Sequence, residues 1–402
     1  MVDKHCTAVI VLSVCGNSFA RSVTVKLVLK RGFAPIVAIV IVAAALVIFG
    51  FRFFLGPTKT ITQVFKGGAN EGNCRSGSIA KFDTEFTDFE KINAINPIGG
   101  IGGGSPGRSY IGVVKEVEVP VYSPTDMILE NIIFAKRPFD PLTSITKTDS
   151  KGEYGLYFRL NCDMTLLFDH IDRVSDRIMT VAPKEPSESS RTDNNPPVNI
   201  EIKKGELLGY TNGTPQARTF DFLVIDRSKP ATHINPKRWE WEQAVYAQCP
   251  YDYFTDELKE KYYAKIGEVI EKSTGREFTP SGTCGQLSYD VPGTASGGWF
   301  KGESTDTKGD YLAIARQAIS PKRVNVAVKK DGLFDSDSVI RVDSAEVFPD
   351  EIKVGDEECY QDSNQNKWAY IKLVSEKELS MVRGSGSCPS TFPESAAEMW
   401  ER

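Results

Sequence analysis

From Phe33 to Phe51 the chain reads FAPIVAIVIVAAALVIFGF, with no charge anywhere in the run. As a helix rising 1.5 Å per residue, such a run crosses a hydrocarbon core of about 30 Å. Lys26, Lys30 and Arg31 precede it, with Lys4 and Arg21 further back, and only Arg52 and Lys59 follow closely. That basic bias predicts a cytoplasmic N-terminus over 1–32, a transmembrane helix over 33–51, and an extracytoplasmic body. A cleaved secretory signal would export the body equally, but no small-x-small cleavage pattern follows the run. The first 25 residues carry no clear pattern.

Beyond the apolar run the hydrophobic period becomes that of strands. In VKEVEVPVYSP, Val117, Val119 and Val121 alternate with Glu116, Glu118 and Pro120, the period-2 signature of a half-buried strand beginning at Val113. Further strands are predicted over 127–134, 155–161, 164–169, 198–202 and 219–226. Turn signals at Gly152, Gly205 and Asn212-Gly213 separate them. Residues 56–107 look irregular and end in GGIGGGSPG, which reads as a linker or flexible entry loop. No strand-to-helix context or Lys-Ser/Thr makes it a phosphate loop. The polar, proline-rich stretch between Ala182 and Pro197 reads as an exposed excursion.

One segment has helical period. Phe254, Leu258, Tyr262, Ile266 and Ile270 recur every four residues behind Thr255, Asp256 and Glu257, which suit a helix start, and Gly275 follows. The expectation is a connecting helix over 255–273, within a connecting segment at 236–277. From Phe278 the pattern is β again, through 311–315, 324–329, 338–342 and 369–374, so 278–402 reads as a second small β domain. Its motif DVPGTASGGWF (Asp290 to Phe300) is distinctive but points to no chemistry. The fold class is therefore mainly β, α+β overall.

Composition narrows the functions. The net charge is −5 and no basic stretch exists apart from the juxtamembrane cluster, so a nucleic-acid surface is excluded. Histidine is limited to His5, His170 and His233, too few for most zinc hydrolases. Cys74, Cys162, Cys249, Cys284, Cys359 and Cys388 follow the apolar run, an even count that suits disulfides in an oxidising space. Proximity alone pairs Cys249 with Cys284 and Cys359 with Cys388. No Gly-x-Ser-x-Gly nucleophile or Cys/His metal spacing is present.

Four segments then occur in a telling order: PVYSPTDMIL (Pro120 to Leu129), LLFDHI (Leu166 to Ile171), IKKGELLGYTNGT (Ile202 to Thr214) and ARTFDFLV (Ala217 to Val224). In that order they resemble the signature strands of lysostaphin/LytM-type zinc metallopeptidases, which cleave peptidoglycan cross-links. The resemblance covers about 108–226 and implies an antiparallel β domain over 108–235. It also implies a zinc bound by a His and an Asp four residues apart plus the second His of a His-x-His pair. Counted back from Pro120, the first two ligand positions fall on Arg108 and Gly112. Because Phe220, Phe222 and Val224 alternate as the core face, the His-x-His positions fall on Thr219, the catalytic one, and Asp221, the ligand. His170 alone matches a catalytic residue of that family.

Glycine has no donor, threonine a poor one, and arginine has neither a free lone pair nor a pKa that lets it lose its charge. The resemblance thus implies a degenerate member with no cofactor and no catalytic residue, although His170 stays a candidate. Arg108 and Asp221 are expected to face each other as a charge-assisted pair; a solvent-facing Asp221 is the bland alternative. For His170 the bland alternative is a satisfied polar residue at a strand end. The function implied is a non-catalytic cell-wall or partner-binding module. The competing expectation is an active peptidoglycan metalloendopeptidase with displaced zinc ligands, using His170, Asp221 and a carboxylate such as Asp126 or Asp169. A phosphocarrier or a membrane-fusion adaptor fits less well, lacking respectively a cytoplasmic active site and sustained heptads.

Overall fold

The computed structural model describes residues 7–14, 21–28, 74–77, 79–101, 105–114, 117–135, 152–183, 197–214, 218–272, 275–320, 322–330, 333–362 and 364–402. The expected transmembrane helix over 33–51, the first part of the expected linker and most of the excursion before Pro197 lie outside these residues. Among the described residues no helix is long and apolar enough to cross a membrane. Two units are present. In the first, strands β1 (Thr7–Val14) and β2 (Arg21–Val28) form an antiparallel hairpin where the sequence showed no clear pattern.

The second unit, Thr62–Arg402, is mainly β and its sheets are antiparallel. Its first half holds β3 (Ile92–Asn96), β4 (Ser109–Val113), β5 (Val119–Tyr122), β6 (Met127–Ala135), β7 (Glu153–Arg159) and β8 (Met164–Ile171). It continues with β9 (Arg173–Val174), β10 (Ile200–Ile202), β11 (Leu207–Thr211), β12 (Thr219–Asp226) and β13 (Ala247–Gln248). The main sheet runs β10-β6-β7-β8-β12-β4-β3, with β13 also on β12; β5, β11 and β9 make a small second sheet.

β12 shows why the alternation was readable. Phe220, Phe222 and Val224 face one core, in which Phe222 stacks on Phe168 at 4.6 Å between ring centroids. Leu223 and Ile225 face a second cluster with Leu167 and Tyr157. Both faces of the strand are covered, and all eight of its residues are buried.

Three expectations need correction. The segment before Arg108 is not simply a linker: Ile92–Asn96 is a strand of the main sheet, and Phe82 and Phe86 are fully buried in its core. Within the glycine run, Gly99 has φ +85°, and a Cβ there would sit 2.1 Å from the Gln286 carbonyl oxygen. Ile101 packs against Ala313, Ala315, Ala327 and Val339, and its carbonyl accepts from Asn325 (2.8 Å) and Gln317 (3.0 Å). Glycine at 99 permits close approach to the Gln286–Tyr289 segment that leads into the C-terminal sheet. Second, the strand expected from Val113 to Val121 is broken: β4 ends at Val113, β5 begins at Val119, and Val117 is exposed.

Third, the helix expected over 255–273 is only α3, Asp256–Tyr263, which follows the short α1 (Asp176–Met179) and α2 (Glu242–Tyr246). Phe254, Leu258, Tyr262 and Ile266 are buried as their spacing requires. Turn bonds from Lys265 to Tyr262 and from Ile266 to Tyr263 then close the helix, and Gly267 opens β14 (Gly267–Lys272), paired with β15 (Gly275–Pro280). Gly267 weakens helix propagation, and Val269-Ile270 favour strand.

The C-terminal sheet contains β16 (Gly297–Phe300), β17 (Tyr311–Arg316), β18 (Val324–Lys330), β19 (Leu333–Val342), β20 (Glu357–Asp362), β21 (Lys367–Ser375), β22 (Glu378–Ser385) and β23 (Glu398–Glu401). Their order, β19-β18-β17-β16-β23-β22-β21-β20, brings its two end strands into contact. Arg341 N–H donates to Asp362 (3.2 Å) across that seam, so the sheet is a nearly closed barrel. Trp299, Trp400, Tyr360, Ile314, Ile371 and Met381 fill its interior. The motif beginning at Asp290 is structural: its carboxylate accepts from Gly298 N–H (2.9 Å) and Ile234 N–H (2.7 Å), fixing the turn that delivers Trp299 inward.

Three disulfides cross-link this unit: Cys74–Cys162, Cys249–Cys284 and Cys359–Cys388. The last two are the pairs taken from sequence proximity; the first spans 88 residues and had no local signal.

Candidate functional site

The site lies where the ends of β4, β7, β8 and β12 meet. The register places Thr219 opposite Gly112, and Asp221 opposite both Tyr110 and Asp169. Two carboxylates directly across neighbouring strands repel each other unless something cationic intervenes. Arg108, one residue before β4, supplies the cation: its Nη1 lies 2.6 Å from Asp169 Oδ2 and 2.7 Å from Asp221 Oδ2. All three side chains are nearly excluded from solvent.

His170 completes the cluster through an unusual backbone. Its φ of +66° is left-handed, which non-glycine residues adopt at a cost of order 1 kcal/mol. Neighbours hold it there: its N–H donates to Asp169 Oδ1 (3.0 Å), and its carbonyl accepts from Thr211 Oγ1 (2.7 Å). The imidazole sits with Nδ1 2.9 Å from Glu153 Oε2 and Nε2 3.5 Å from Asp221 Oδ2. Gly155 leaves room for Asp169, because a Cβ there would press on Oδ1 at 3.0 Å.

The electrostatics follow from this packing. Burial alone would strip His170 of its proton, but hydrogen bonds to Asp221 and Glu153 and the field of Asp169 outweigh it and raise its pKa to about 10. Burial likewise opposes the charge on Arg108, and Asp169 and Asp221 more than compensate, holding the guanidinium protonated even more firmly than usual. Beside them, burial and the Asp221 carboxylate push the Tyr110 phenol up to about 12. Two cations and three carboxylates (Arg108 and His170 against Glu153, Asp169 and Asp221) thus share one buried cluster.

Of the residues singled out in the sequence, Arg108, Gly112, His170, Thr219 and Asp221 all fall on these adjoining strand ends. Arg108, His170 and Asp221 are in direct contact, whereas Gly112 and Thr219 contribute only the neighbouring backbone pair. Asp126 is elsewhere, at the turn before β6, accepting from Lys204 N–H (2.8 Å). His233 has a packing role: it stacks on Trp239 at 3.9 Å and its Nε2 meets the Ala244 carbonyl at 3.0 Å. Glu153 and the Tyr110 phenol had not been singled out. Glu153 reaches the cluster only because β7 pairs with β8 through an irregular register.

A metal could use donors from Asp169, His170 and Asp221, whose candidate ligand atoms lie within 4.8 Å of one another. The positions of Arg108 and Gly112 offer it nothing. A cavity of about 610 Å³ lies elsewhere, lined in part by Lys81, Asp226, Lys229 and Tyr253. Its Asp226 is bonded internally, by Lys229 and Tyr253 at 2.9 and 2.7 Å.

Compared with protein-family models, curated proteins and solved structures, the chain gave no match.

Proposed function

We propose that this protein is an exported, membrane-anchored, non-hydrolytic binding module on a LytM-like frame, acting on the cell wall or on a wall- or membrane-associated partner. The observation that carries the reading is the guanidinium of Arg108, 2.6 and 2.7 Å from Asp169 and Asp221. It supplies the positive charge that a metal would otherwise bring and holds the strand ends together in its place. The register supports the alignment behind the reading, since the four positions taken from the resemblance to be ligand or catalytic positions on β12 and at β4 adjoin one another. Three disulfides favour an oxidising space outside the cytoplasm.

The second reading, a metalloendopeptidase with displaced ligands, draws on the convergence of Asp169, His170 and Asp221. Arg108 argues against it, because a dication at those oxygens would have to displace a buried guanidinium or sit beside it. Two measurements on the full-length protein, purified without chelator, separate the readings: zinc by elemental analysis and sedimentation with purified peptidoglycan. The binding-module reading expects less than about 0.1 zinc per chain, against the tight retention usual at protein zinc sites, together with co-sedimentation or capture of a wall-associated protein. One zinc per chain with release of cross-link peptides sinks it.

A further inference from the structure

We propose that the cavity of about 610 Å³ is a binding site for a small zwitterion of the amino-acid class, one that presents an ammonium and a carboxylate beside an apolar side chain. The cavity lies at the other ends of β8 and β12 from the Arg108 cluster. Met164 pairs with Asp226 here, whereas the cluster is built on the pairing of Asp169 with Asp221. The inference is therefore independent of the role given to Arg108.

The charges on the cavity wall carry it. Lys229 is held by Asp226 at 2.9 Å, and Asp252 is held by Lys259 at 2.6 Å and by the Tyr263 hydroxyl at 2.8 Å. Those pairs neutralise each other and leave Lys81 and Asp163 over. Among the described residues neither of these two makes an ion pair, and Lys81 Nζ donates to the Asp252 carbonyl. One cation and one anion thus remain open on the same cavity. A ligand entering it displaces water from both. A neutral or singly charged ligand would strip solvent from at least one of them without replacing the interaction. A zwitterion pairs with each, its carboxylate on Lys81 and its ammonium on Asp163. Ile79, Ala80 and Met164 supply the apolar part of the wall, and the volume falls within the roughly 300–1,000 Å³ of small-molecule sites.

The wall is also fixed in advance. The segment carrying Lys81 is tied at one end by the Cys74–Cys162 disulfide and by Asn161 Nδ2, which donates to the Gly77 carbonyl (2.7 Å). At its other end Phe82 N–H donates to the Tyr253 carbonyl (2.8 Å). Asp163 is held through its backbone, its N–H donating to Asn161 Oδ1 (2.9 Å) and its carbonyl accepting from Arg227 N–H (2.9 Å). A site ordered before the ligand arrives loses less freedom on binding. The disulfide that spans 88 residues thereby gains a role, since it pins one wall of the cavity to the turn before β8.

The test is isothermal calorimetry on the full-length protein at about pH 6.5, where an α-amino group is protonated. The probes are leucine, leucinamide (no carboxylate), 4-methylpentanoate (no ammonium) and the dipeptide dileucine. Leucine or dileucine should bind with a Kd below about 1 mM, and each single-charge analogue at least about tenfold more weakly than leucine. The tighter of leucine and dileucine tells whether a free amino acid or a short peptide is the natural source of the zwitterion. K81Q and D163N should each weaken leucine about tenfold. In K81Q leucinamide should bind as leucine does, and in D163N 4-methylpentanoate should do so, because the group each analogue lacks has already lost its partner. Lys81 is exposed and Asp163 is half-buried, so urea midpoints of both variants should match wild type. Absence of binding by leucine and dileucine up to about 10 mM overturns the proposal. So does a single-charge analogue that binds wild type as tightly as leucine, or folded K81Q and D163N proteins that bind leucine as wild type does. None of these results bears on zinc content or wall binding, so the reading of the Arg108 cluster stands or falls separately.

Discussion

Asp169 and Asp221 face each other across β8 and β12 as a directly opposed pair of buried acids, and a single guanidinium nitrogen of Arg108 bridges them at 2.6 and 2.7 Å. The sheet could not otherwise bring these strands into register without repulsion between the two carboxylates. Arg108 therefore acts on the fold as well as on the site.

The first consequence concerns stability. Removing Arg108 leaves two carboxylates buried against each other, so R108A should lose roughly 3–5 kcal/mol of unfolding free energy at pH 7. Neutralising the acids as well, in R108M/D169N/D221N, should recover much of that loss, because the penalty comes from unpaired charge and not from missing contact. Urea denaturation of the three proteins at a single pH measures both effects. An R108A variant as stable as wild type would mean that the bridge contributes little.

His170 gives the cluster a pH dependence of defined sign. Its folded pKa of about 10 lies above the roughly 6.5 expected of an unfolded histidine. Its contribution is therefore fully present below about pH 6.5 and is lost as pH rises through about 10. Unfolding free energy should fall across that window, with a slope of at most about 1.4 kcal/mol per pH unit from this residue. H170Q should flatten the dependence there. Urea midpoints from pH 6 to pH 10 provide the comparison, and NMR titration of the imidazole gives the pKa directly.

How far the sequence disclosed this site depended on how local each signal was. The alternation in Thr219–Asp226 was legible because Phe220, Phe222 and Val224 fill one core while Asp221 falls on the other face. Arg108 and Asp221 could be placed together only through the resemblance to the LytM-type signature, counted onto these positions. Glu153 could not, since an irregular strand register brings it to His170. The competing expectation set Asp126 or Asp169 beside His170 and Asp221; that it is Asp169 follows from the left-handed φ of His170, since successive residues of a regular strand point to opposite faces. The helix past Tyr263 was misjudged because Ile266 keeps the period-4 stripe by bridging to Ile95 after the helix has ended. The glycine run misled for a related reason, glycine serving close approach as readily as flexibility.

That last point yields a test of its own. Gly99 combines a φ of +85° with a Gln286 carbonyl oxygen 2.1 Å from where a Cβ would sit. Alanine there meets both a conformational penalty of order 1 kcal/mol and a clash with backbone, so G99A should destabilise by roughly 2 kcal/mol or more. G282A, at a position with a similar φ of +74° where a Cβ meets nothing, should show only the conformational part. If G99A melts like G282A, the segment is a loose linker after all.

The disulfide Cys249–Cys284 ties the segment just before α3 to the loop leading into the barrel, closing 35 residues between two buried sulfurs. Closing a loop of that length restricts the unfolded chain by about 3–4 kcal/mol in the chain-entropy model. C249S/C284S should lose about 2–4 kcal/mol, and reductant should lower the wild-type stability at least as far, since it opens the other two bonds as well. The double variant should still hold Arg108 within the Asp169–Asp221 pair, because neither sulfur contacts the cluster. Its histidine titration should therefore match wild type even as its urea midpoint falls. A shift of the His170 pKa in that variant would show instead that the C-terminal half sets the geometry of the site through this cross-link.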